Sequence, residues 1–198
     1  TSIIEIGMLA FANPMIVFNP LSLPNTLKRI EYNAFGSAQI KGPLILPNDL
    51  EYLGAGAFAG CGFSGDLVIP PKIKEIPDEC FKYNYIQRLT LPNGLTKIGS
   101  YALCGTGELI LPNSLREIGD CAFQGSVYDW DKRDRLTKFS GKLVIPESVV
   151  LIGGGAFDYQ NFSGTFEIPK NITNVPGGII SGTGVHTIII HSDVQRIG

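Results

Sequence analysis

Apolar residues recur along the chain in a short block that is repeated about eight times. Most copies read L-x-[LI]-P and continue, after a polar stretch, into L-x-x-I, as in LTLPNGLTKI at 89–98. The first and third positions of L-x-[LI]-P lie on one side of a strand, because strand side chains alternate with a period of two. The pattern predicts short second strands at L-x-x-I and one ladder of parallel strands at 21–24, 44–47, 67–70, 89–92, 109–112, 143–146 and 166–169.

A second signature follows each block, a small residue directly before a large apolar one. One such repeat cannot cover its own apolar face, so stacked repeats bury it against one another. The pattern predicts a mainly β repeat solenoid of about eight turns of 20–23 residues, with short parallel strands and at most a turn of helix near each large residue. Six phenylalanines fill the large position and are predicted to form an internal spine: Phe11, Phe35, Phe58, Phe81, Phe123 and Phe157.

The glycine-rich run EYLGAGAFAGCG at 51–62 looks like a phosphate-binding loop, but its place in the repeat indicates another role. Gly54 falls in a column that is otherwise mostly glycine or proline, at the point where the chain leaves a strand. Glycine there suits a positive φ and proline suits a fixed bend, so both are turn residues. A dinucleotide loop also needs a helix of several turns behind it. We therefore predict no nucleotide site.

Composition narrows the classes of partner. The chain has 44% hydrophobic and 17% charged residues with a net charge of −2, whereas an average soluble domain has roughly 25% charged residues. It carries no general basic field for nucleic acid or for an anionic membrane surface. No apolar run approaches the ~18 residues that span a bilayer. We expect no nucleic-acid partner and no membrane insertion by this chain.

The repeat resembles one family closely. The pattern L-x-[LI]-P-x-x-[LIV]-x-x-[IL]-G-x-x-A-F is similar to the BspA-like leucine-rich repeats across essentially the whole chain. The linking elements GFSGDLVIP (62–70), KFSGKLVIP (138–146) and NFSGTFEIP (161–169) are typical of the same family. The resemblance implies a curved, right-handed solenoid of a kind found mostly in bacterial cell-surface proteins that bind host proteins or other cells. It implies no catalytic residues. The last turn departs from the pattern, with His191 in place of the proline.

No group of residues indicates an enzyme, a metal site or a cofactor. The four cysteines occupy unlike columns without C-x-x-C spacing, which predicts small buried thiols rather than zinc ligands or a disulfide framework. The run HSD at 191–193 has the residue types of a catalytic triad, but neighbours on a strand point to opposite faces. Asn161 and Asn171 begin N-glycosylation acceptor patterns, which matter only in a eukaryotic secretory host.

One insertion interrupts the repeat. A spacing of 34 residues between prolines, against the usual 23, places eleven extra residues in the sixth strand-block repeat, at about 126–138. Insertions in solenoids form loops on one face, often the binding face. The alternative is a solvated loop whose tryptophan folds back on the solenoid. Aromatic and cationic residues here have the composition of an interface anchor: Tyr128, Trp130, Lys132, Arg133 and Arg135.

The middle residues of the predicted strands form a second candidate surface, which we call the outward stripe. Most of them are β-branched and apolar, and Asp66, Arg88, Glu108 and Lys142 flank them. Such a stripe is either a concave binding surface or a consequence of the strand propensity of β-branched residues. The outward stripe comprises Ser22, Ile45, Val68, Thr90, Ile110, Val144, Glu167 and Ile189.

Two functions are compatible with these features. The first is a non-catalytic binding or adhesion module at the cell surface, with an extracellular protein or glycan as partner. The second is a spacer that presents other domains of a surface protein. Binding predicts aromatic and charged residues that converge on one face, whereas a spacer would be uniform. The insertion around Trp130 favours binding.

The two ends of the chain fall at nearly the same phase of the repeat. Residues 1–198 are expected to form a single repeat domain, as a segment of a longer protein. The apolar columns are open at both ends, at Ile3, Ile6 and Phe11 and again at Ile188, Ile190, Val194 and Ile197. Exposed strand edges and apolar end turns favour pairing, so end-to-end self-association is a further expectation.

Overall fold

The chain folds as a parallel β-solenoid of about eight turns, and the described residues contain no helix. The structure is a computed structural model, and it describes residues 2–125 and 137–198. Each turn contributes one strand to each of two ladders. The first ladder contains β2 (Val17–Phe18), β4 (Gln39–Ile40), β6 (Ser64–Val68), β8 (Tyr85–Thr90), β10 (Gly107–Glu108), β12 (Phe139–Gly141), β14 (Asn161–Glu167) and β16 (Gly184–Ile189). The second ladder contains β1 (Glu5–Ile6), β3 (Arg29–Ile30), β5 (Tyr52–Leu53), β7 (Glu75–Ile76), β9 (Lys97–Ile98), β11 (Glu117–Ile118), β13 (Leu151–Ile152), β15 (Asn174–Val175) and β17 (Arg196–Ile197).

All pairings run parallel between successive turns, as the repeat predicts. In the first ladder the sheets are β2–β4, β6–β8 and β10–β12–β14–β16. In the second ladder they are β1–β3–β5, β7–β9–β11–β13 and β15–β17. The prediction of second strands at L-x-x-I is therefore confirmed. The single continuous ladder predicted for the first strands is wrong, because hydrogen bonding divides it into three sheets.

The second ladder breaks where proline removes a donor. The residue after each second-ladder strand usually donates its N–H to the preceding turn: Gly54 to the Ile30 carbonyl and Gly99 to that of Ile76, both at 2.8 Å. Pro77 and Pro176 occupy the same column and have no N–H to donate. The sheet is interrupted at these two turns, between β5 and β7 and between β13 and β15.

The first strands lie earlier in the repeat than L-x-[LI]-P predicts. Of the predicted ranges, only 67–68, 89–90 and 166–167 fall within strands, and the longer strands begin upstream at or near the FSG element. Proline explains part of the shift. The fourth position of the block is proline and ends the ladder there, and Pro43 stands in the column of Asp66, so this turn lacks a donor at mid-strand as well.

The predicted phenylalanine spine is confirmed. The rings of Phe35 and Phe58 stack with centroids 5.1 Å apart at an interplanar angle of 4°, and Phe123 and Phe157 stack at 5.3 Å and 6°. The five rings from Phe35 to Phe157 are fully buried, whereas Phe11 in the first turn is partly exposed. Stacked aromatic pairs are worth about 0.5–1.5 kcal/mol beyond the area they bury. The spine is thus a central part of the core.

A second aromatic column, which the sequence pattern did not predict, packs edge-on against the spine. Phe63 meets Phe81 at 6.3 Å and 90°, and Phe139 meets Phe123 at 5.9 Å and 80°. A signal for it exists in the sequence, since three of these rings begin the FSG element. The second column consists of Phe18, Phe63, Phe139 and Phe162.

The glycine column at Gly54 serves close approach rather than positive φ, which corrects the prediction. A Cβ on Gly54 would lie 2.3 Å from the Tyr32 nitrogen of the preceding turn, and one on Gly153 would lie 2.3 Å from the Asp120 nitrogen. Only hydrogen fits at such distances. Positive φ, between 50° and 71°, occurs two residues later in every turn, at Leu9, Asn33, Gly56, Glu79, Tyr101, Cys121, Gly155 and Gly178.

The end turns expose apolar side chains, as the open columns predict. In the first turn Ile3 and Phe11 are exposed, and in the last turn Ile188, Ile190 and Ile197 are exposed. Ile6 and Val194 are partly buried against the core. Self-association through these turns stays a prediction.

Candidate functional site

The outward stripe exists as a continuous exposed row on the first ladder. In most blocks the residues on either side of the stripe position point inward: Leu44 and Leu46 are buried while Ile45 between them is 72% exposed. The last turn is the exception, because Ile188 and Ile190 are exposed as well. Strand pairing aligns Val68 with Thr90 and Glu167 with Ile189 in register. All eight predicted residues of the stripe are exposed: Ser22, Ile45, Val68, Thr90, Ile110, Val144, Glu167 and Ile189.

Strand propensity does not explain the most apolar part of this stripe. Ile45, Ile110 and Val144 are 72%, 70% and 59% exposed, yet all three lie outside the hydrogen-bonded strands. β-Branched residues are favoured in strands because they fit a pleated, half-buried surface. These three positions are neither in strands nor half-buried. Strand propensity therefore does not account for their apolar character.

An ion pair flanks the stripe on the side where the strands begin. Arg88 Nε lies 3.0 Å from both carboxylate oxygens of Asp66, in register across β6 and β8. Hydrogen bonding to Arg88 lowers the pKa of Asp66 below its usual range. Both side chains are exposed, and exposed ion pairs contribute little to stability. The pair instead gives the rim of the stripe a fixed charge pattern, beside the exposed Glu108 and Lys142.

A second polar contact lies near the C-terminal end of the stripe. Nε2 of His191 is 3.1 Å from the carboxylate of Glu167, one turn away. His191 stands in the proline column, so this turn replaces a rigid apolar residue with one whose side chain forms a polar contact. The residues of the HSD run do not form a Ser–His–Asp relay. His191 contacts Glu167, and Ser192 donates to Asp193 at 3.5 Å.

The other candidate surface falls outside the described residues. Residues 126–136 include every position of the predicted interface anchor, namely Tyr128, Trp130, Lys132, Arg133 and Arg135. The repeat is regular on both sides of them. Gly125 N–H donates to the Asp158 carbonyl at 2.8 Å, and Thr137 and Phe139 are buried. The role of the insertion stays a prediction.

The cysteines are free thiols. Cys61 and Cys80 are buried, and Cys104 and Cys121 are half-buried. Burial raises the pKa of Cys61 to about 12 and the pKa values of Cys80 and Cys104 above their ordinary value. A thiol of raised pKa is a poor nucleophile and a poor metal ligand, because both roles need the thiolate. These cysteines pack as small apolar side chains.

Two other kinds of site, a metal centre and a membrane-spanning helix, are absent from the described part of the chain. Within residues 2–125 and 137–198, no three metal-ligating side chains lie close enough together to hold a metal ion. Those residues also contain no helix with the length and apolar character that crossing a membrane requires. The outward stripe is therefore the candidate site that the described geometry assembles from predicted residues.

Comparison with known families gives a match across most of the chain. The model of the BspA type leucine rich repeat region matches residues 4–128 and 137–198, with six copies of the repeat. The chain belongs to the BspA-type leucine-rich repeat family. The repeat pattern and the FSG elements anticipated this membership. No curated protein matches the chain by sequence.

A solved structure has the same fold. A leucine-rich repeat protein from Bacteroides ovatus ATCC 8483, known from its crystal structure, superimposes with a TM-score of 0.64 at 20% sequence identity. The match covers 99% of this chain and 55% of that protein, so the chain spans about half of its relative's length. BspA-type repeats are in general interaction domains or repeat scaffolds, their solenoid is typically non-catalytic, and the family is associated with surface proteins.

Proposed function

We propose that this chain is a non-catalytic adhesion or binding module of a cell-surface protein, and that the outward stripe takes an extracellular partner. The observation that carries the proposal is the row of exposed aliphatic side chains outside the strands, at Ile45, Ile110 and Val144. Isolated exposed apolar residues are ordinary. This row instead carries aliphatic pairs on adjacent turns, Ile45 with Val68 and Ile110 with Val144, beside charged residues, and apolar surface of this kind favours interaction.

A protein fits the stripe better than a glycan does. Aliphatic side chains on adjacent turns of the stripe, such as Ile110 and Val144, are separated by about 4.8 Å, the spacing of neighbouring strands. Burying these side chains stabilises a complex by roughly 25 cal/mol for each Å² of apolar surface removed from water. Such burial requires an apolar counterpart, such as the side chains of a protein. The charged rim, with the Asp66–Arg88 pair at one edge, then orients that partner.

The alternative role as a spacer does not require such a stripe. A spacer needs only stacked turns, and its outward positions are free to be polar, as Ser22, Thr90 and Glu167 show within the same row. Polar residues at these positions cost the fold little, since surface substitutions usually change stability by no more than about 0.5 kcal/mol. The aliphatic residues at Ile45, Ile110 and Val144 are thus unexplained by a spacer alone.

Selection of peptides on the immobilised chain tests the proposal and does not require the natural partner to be identified. A phage library of random dodecapeptides is selected against the full chain, and the selected peptides are then titrated against Ile45→Lys and Ile110→Lys. We expect peptides with apolar consensus positions whose affinity falls at least tenfold for either variant.

The matched controls are Val150→Lys and Leu151→Lys. These residues are 53% and 57% exposed, comparable to Val144 of the stripe, but they lie at the second ladder. We expect the controls to bind the selected peptides like the unaltered chain. Peptides that bind the Ile45 and Ile110 variants unchanged, or that lose binding to the controls instead, would contradict the assignment of the stripe.

A further inference from the structure

Three exposed tyrosines stand on strained backbone in the turns that lead out of the second ladder. Tyr83, Tyr101 and Tyr159 have φ values of 58°, 53° and 57°, in a region that L residues with large side chains rarely adopt. Other turns place glycine at the equivalent positions: Gly60 corresponds to Tyr83, and Gly56 corresponds to Tyr101. The positive φ belongs to the repeat and recurs in every turn, and glycine adopts it more readily than tyrosine does, so the backbone does not require a large aromatic side chain at these exposed positions.

Two of these tyrosines form a cluster around a lysine. The Lys82 ammonium lies 5.0 Å from the ring centroid of Tyr83 and 4.6 Å from that of Tyr101. The same ammonium pairs with Glu79 at 3.0 Å. Cation–π contacts within about 6 Å are attractive, so Lys82 holds both rings in place. Tyr83 nevertheless remains 67% and Tyr101 40% exposed.

Cys121, in the next turn, neighbours Tyr101. Interaction with its side chain raises the pKa of Tyr101. Tyr101 and Cys121 occupy the same column of neighbouring turns, and both have positive φ. The cluster therefore places two exposed aromatic rings around one cation, which Glu79 also contacts.

Carboxylates surround the cluster and determine its charge. Glu79 pairs with Lys82, the exposed Asp78 lies in the turn of Tyr83, and the exposed Asp120 lies in the turn after that of Tyr101. Each of these two aspartates accepts a backbone N–H of the next turn, from Ser100 at 2.7 Å and from Gly154 at 2.8 Å. The surroundings carry more negative than positive charge, which disfavours an anionic ligand.

We propose that Tyr83, Lys82 and Tyr101 form a binding site for a neutral oligosaccharide. The flat apolar face of a sugar ring stacks on an exposed aromatic ring, and sugar hydroxyl groups hydrogen-bond to carboxylates, to an ammonium and to a phenol. The cluster supplies these groups on neighbouring turns. This site lies on the turns and uses no residue of the outward stripe, so it stands independently of the function proposed above.

A glycan array probed with the full chain tests the assignment. The array carries neutral, sialylated and sulfated oligosaccharides, and bound neutral structures are then titrated by calorimetry. We expect binding to neutral glycans, with at least a tenfold loss of affinity for Tyr83→Ala and for Tyr101→Ala. Tyr32→Ala is the matched control, because Tyr32 is 53% exposed but does not have positive φ, and it should bind normally.

Three outcomes would overturn the proposal. They are the absence of any bound neutral glycan, binding confined to sialylated or sulfated structures, and neutral binding that survives both tyrosine substitutions. If peptides selected on the chain lose affinity for Tyr83→Ala while no neutral glycan binds, the cluster is a protein contact instead.

A glycine substitution separates a ligand-binding role from a structural one. Tyr83→Gly relieves the positive φ at no steric cost, so a tyrosine retained for binding predicts a melting temperature that is unchanged or higher, together with lost glycan binding. A clearly lower melting temperature, with glycan binding retained, would assign Tyr83 to the fold and contradict the site.

Discussion

The two ladders of the solenoid share one backbone plan but present different outward chemistry. On the second ladder the outward residues pair with one another: Lys97 lies 3.3 Å from Glu117, in register with it, and the Arg29 guanidinium lies 4.0 Å from the Tyr52 ring centroid. On the first ladder, Ile45 and Ile110 point outward and remain exposed.

The difference between the ladders separates what the fold requires from what it permits. Inward positions are apolar in both ladders, because the stack must bury them. Outward positions are free, so the second ladder satisfies its own charges while the outward stripe leaves aliphatic surface available. Leu151 is an exposed apolar residue of the second ladder and provides an internal control. This contrast supports the proposal that the stripe serves binding rather than folding.

The largest expected effect comes from the interior that both ladders share. Phe58→Ala removes a fully buried ring that stacks between Phe35 and Phe81. We expect a loss of about 3–5 kcal/mol in the free energy of unfolding, as for other buried aromatics. Urea denaturation followed by circular dichroism measures it. A loss below about 1 kcal/mol would show that the spine does not support the ladders.

A smaller effect is expected where the second ladder needs close approach. Gly153→Ala places a Cβ 2.3 Å from the Asp120 nitrogen, and overpacking of this kind costs typically about 1–3 kcal/mol. Gly7→Ala is the matched control, since Gly7 occupies the same column of the first turn with nothing within 4 Å of the added Cβ. Equal stability of the two variants in the same denaturation experiment would refute the close-approach explanation.

The smallest effects should distinguish the outward faces. Lys97→Glu opposes Glu117 and Glu75 on the neighbouring strands, and like charges on a surface should destabilise by up to about 1 kcal/mol, less at high salt. Ile110→Lys, on the outward stripe, should change stability by at most about 0.5 kcal/mol. Thermal melts at low and high salt compare them. A larger loss for Ile110→Lys would mean that the stripe serves the fold.

Much of this architecture was predictable because each column repeats about eight times. The inward positions, the spine and the second strands follow from residue types that recur in register, and the exposed stripe follows from the alternation around Ile45. The breaks at Pro77 and Pro176 were also readable, since proline has no N–H.

Other features could not be predicted because their residue types do not repeat. The positive-φ column accepts leucine, asparagine, glutamate, tyrosine and cysteine, so composition does not reveal its backbone. The tyrosine cluster depends on Lys82 reaching rings in two different turns, a contact that no single repeat encodes. The close approach at Gly54 requires knowing which backbone atoms of the preceding turn lie beneath it.

Hydrogen–deuterium exchange of the full chain, alone and saturated with a peptide selected on it, tests the central claim most directly. If the outward stripe is the binding surface, added protection falls in 43–47, 66–70, 88–92, 108–112 and 142–146. Second-ladder segments such as 28–31 and 116–119 exchange as before. Protection confined to the second ladder, or to the turns around Tyr83 and Tyr101, would contradict the assignment of the stripe.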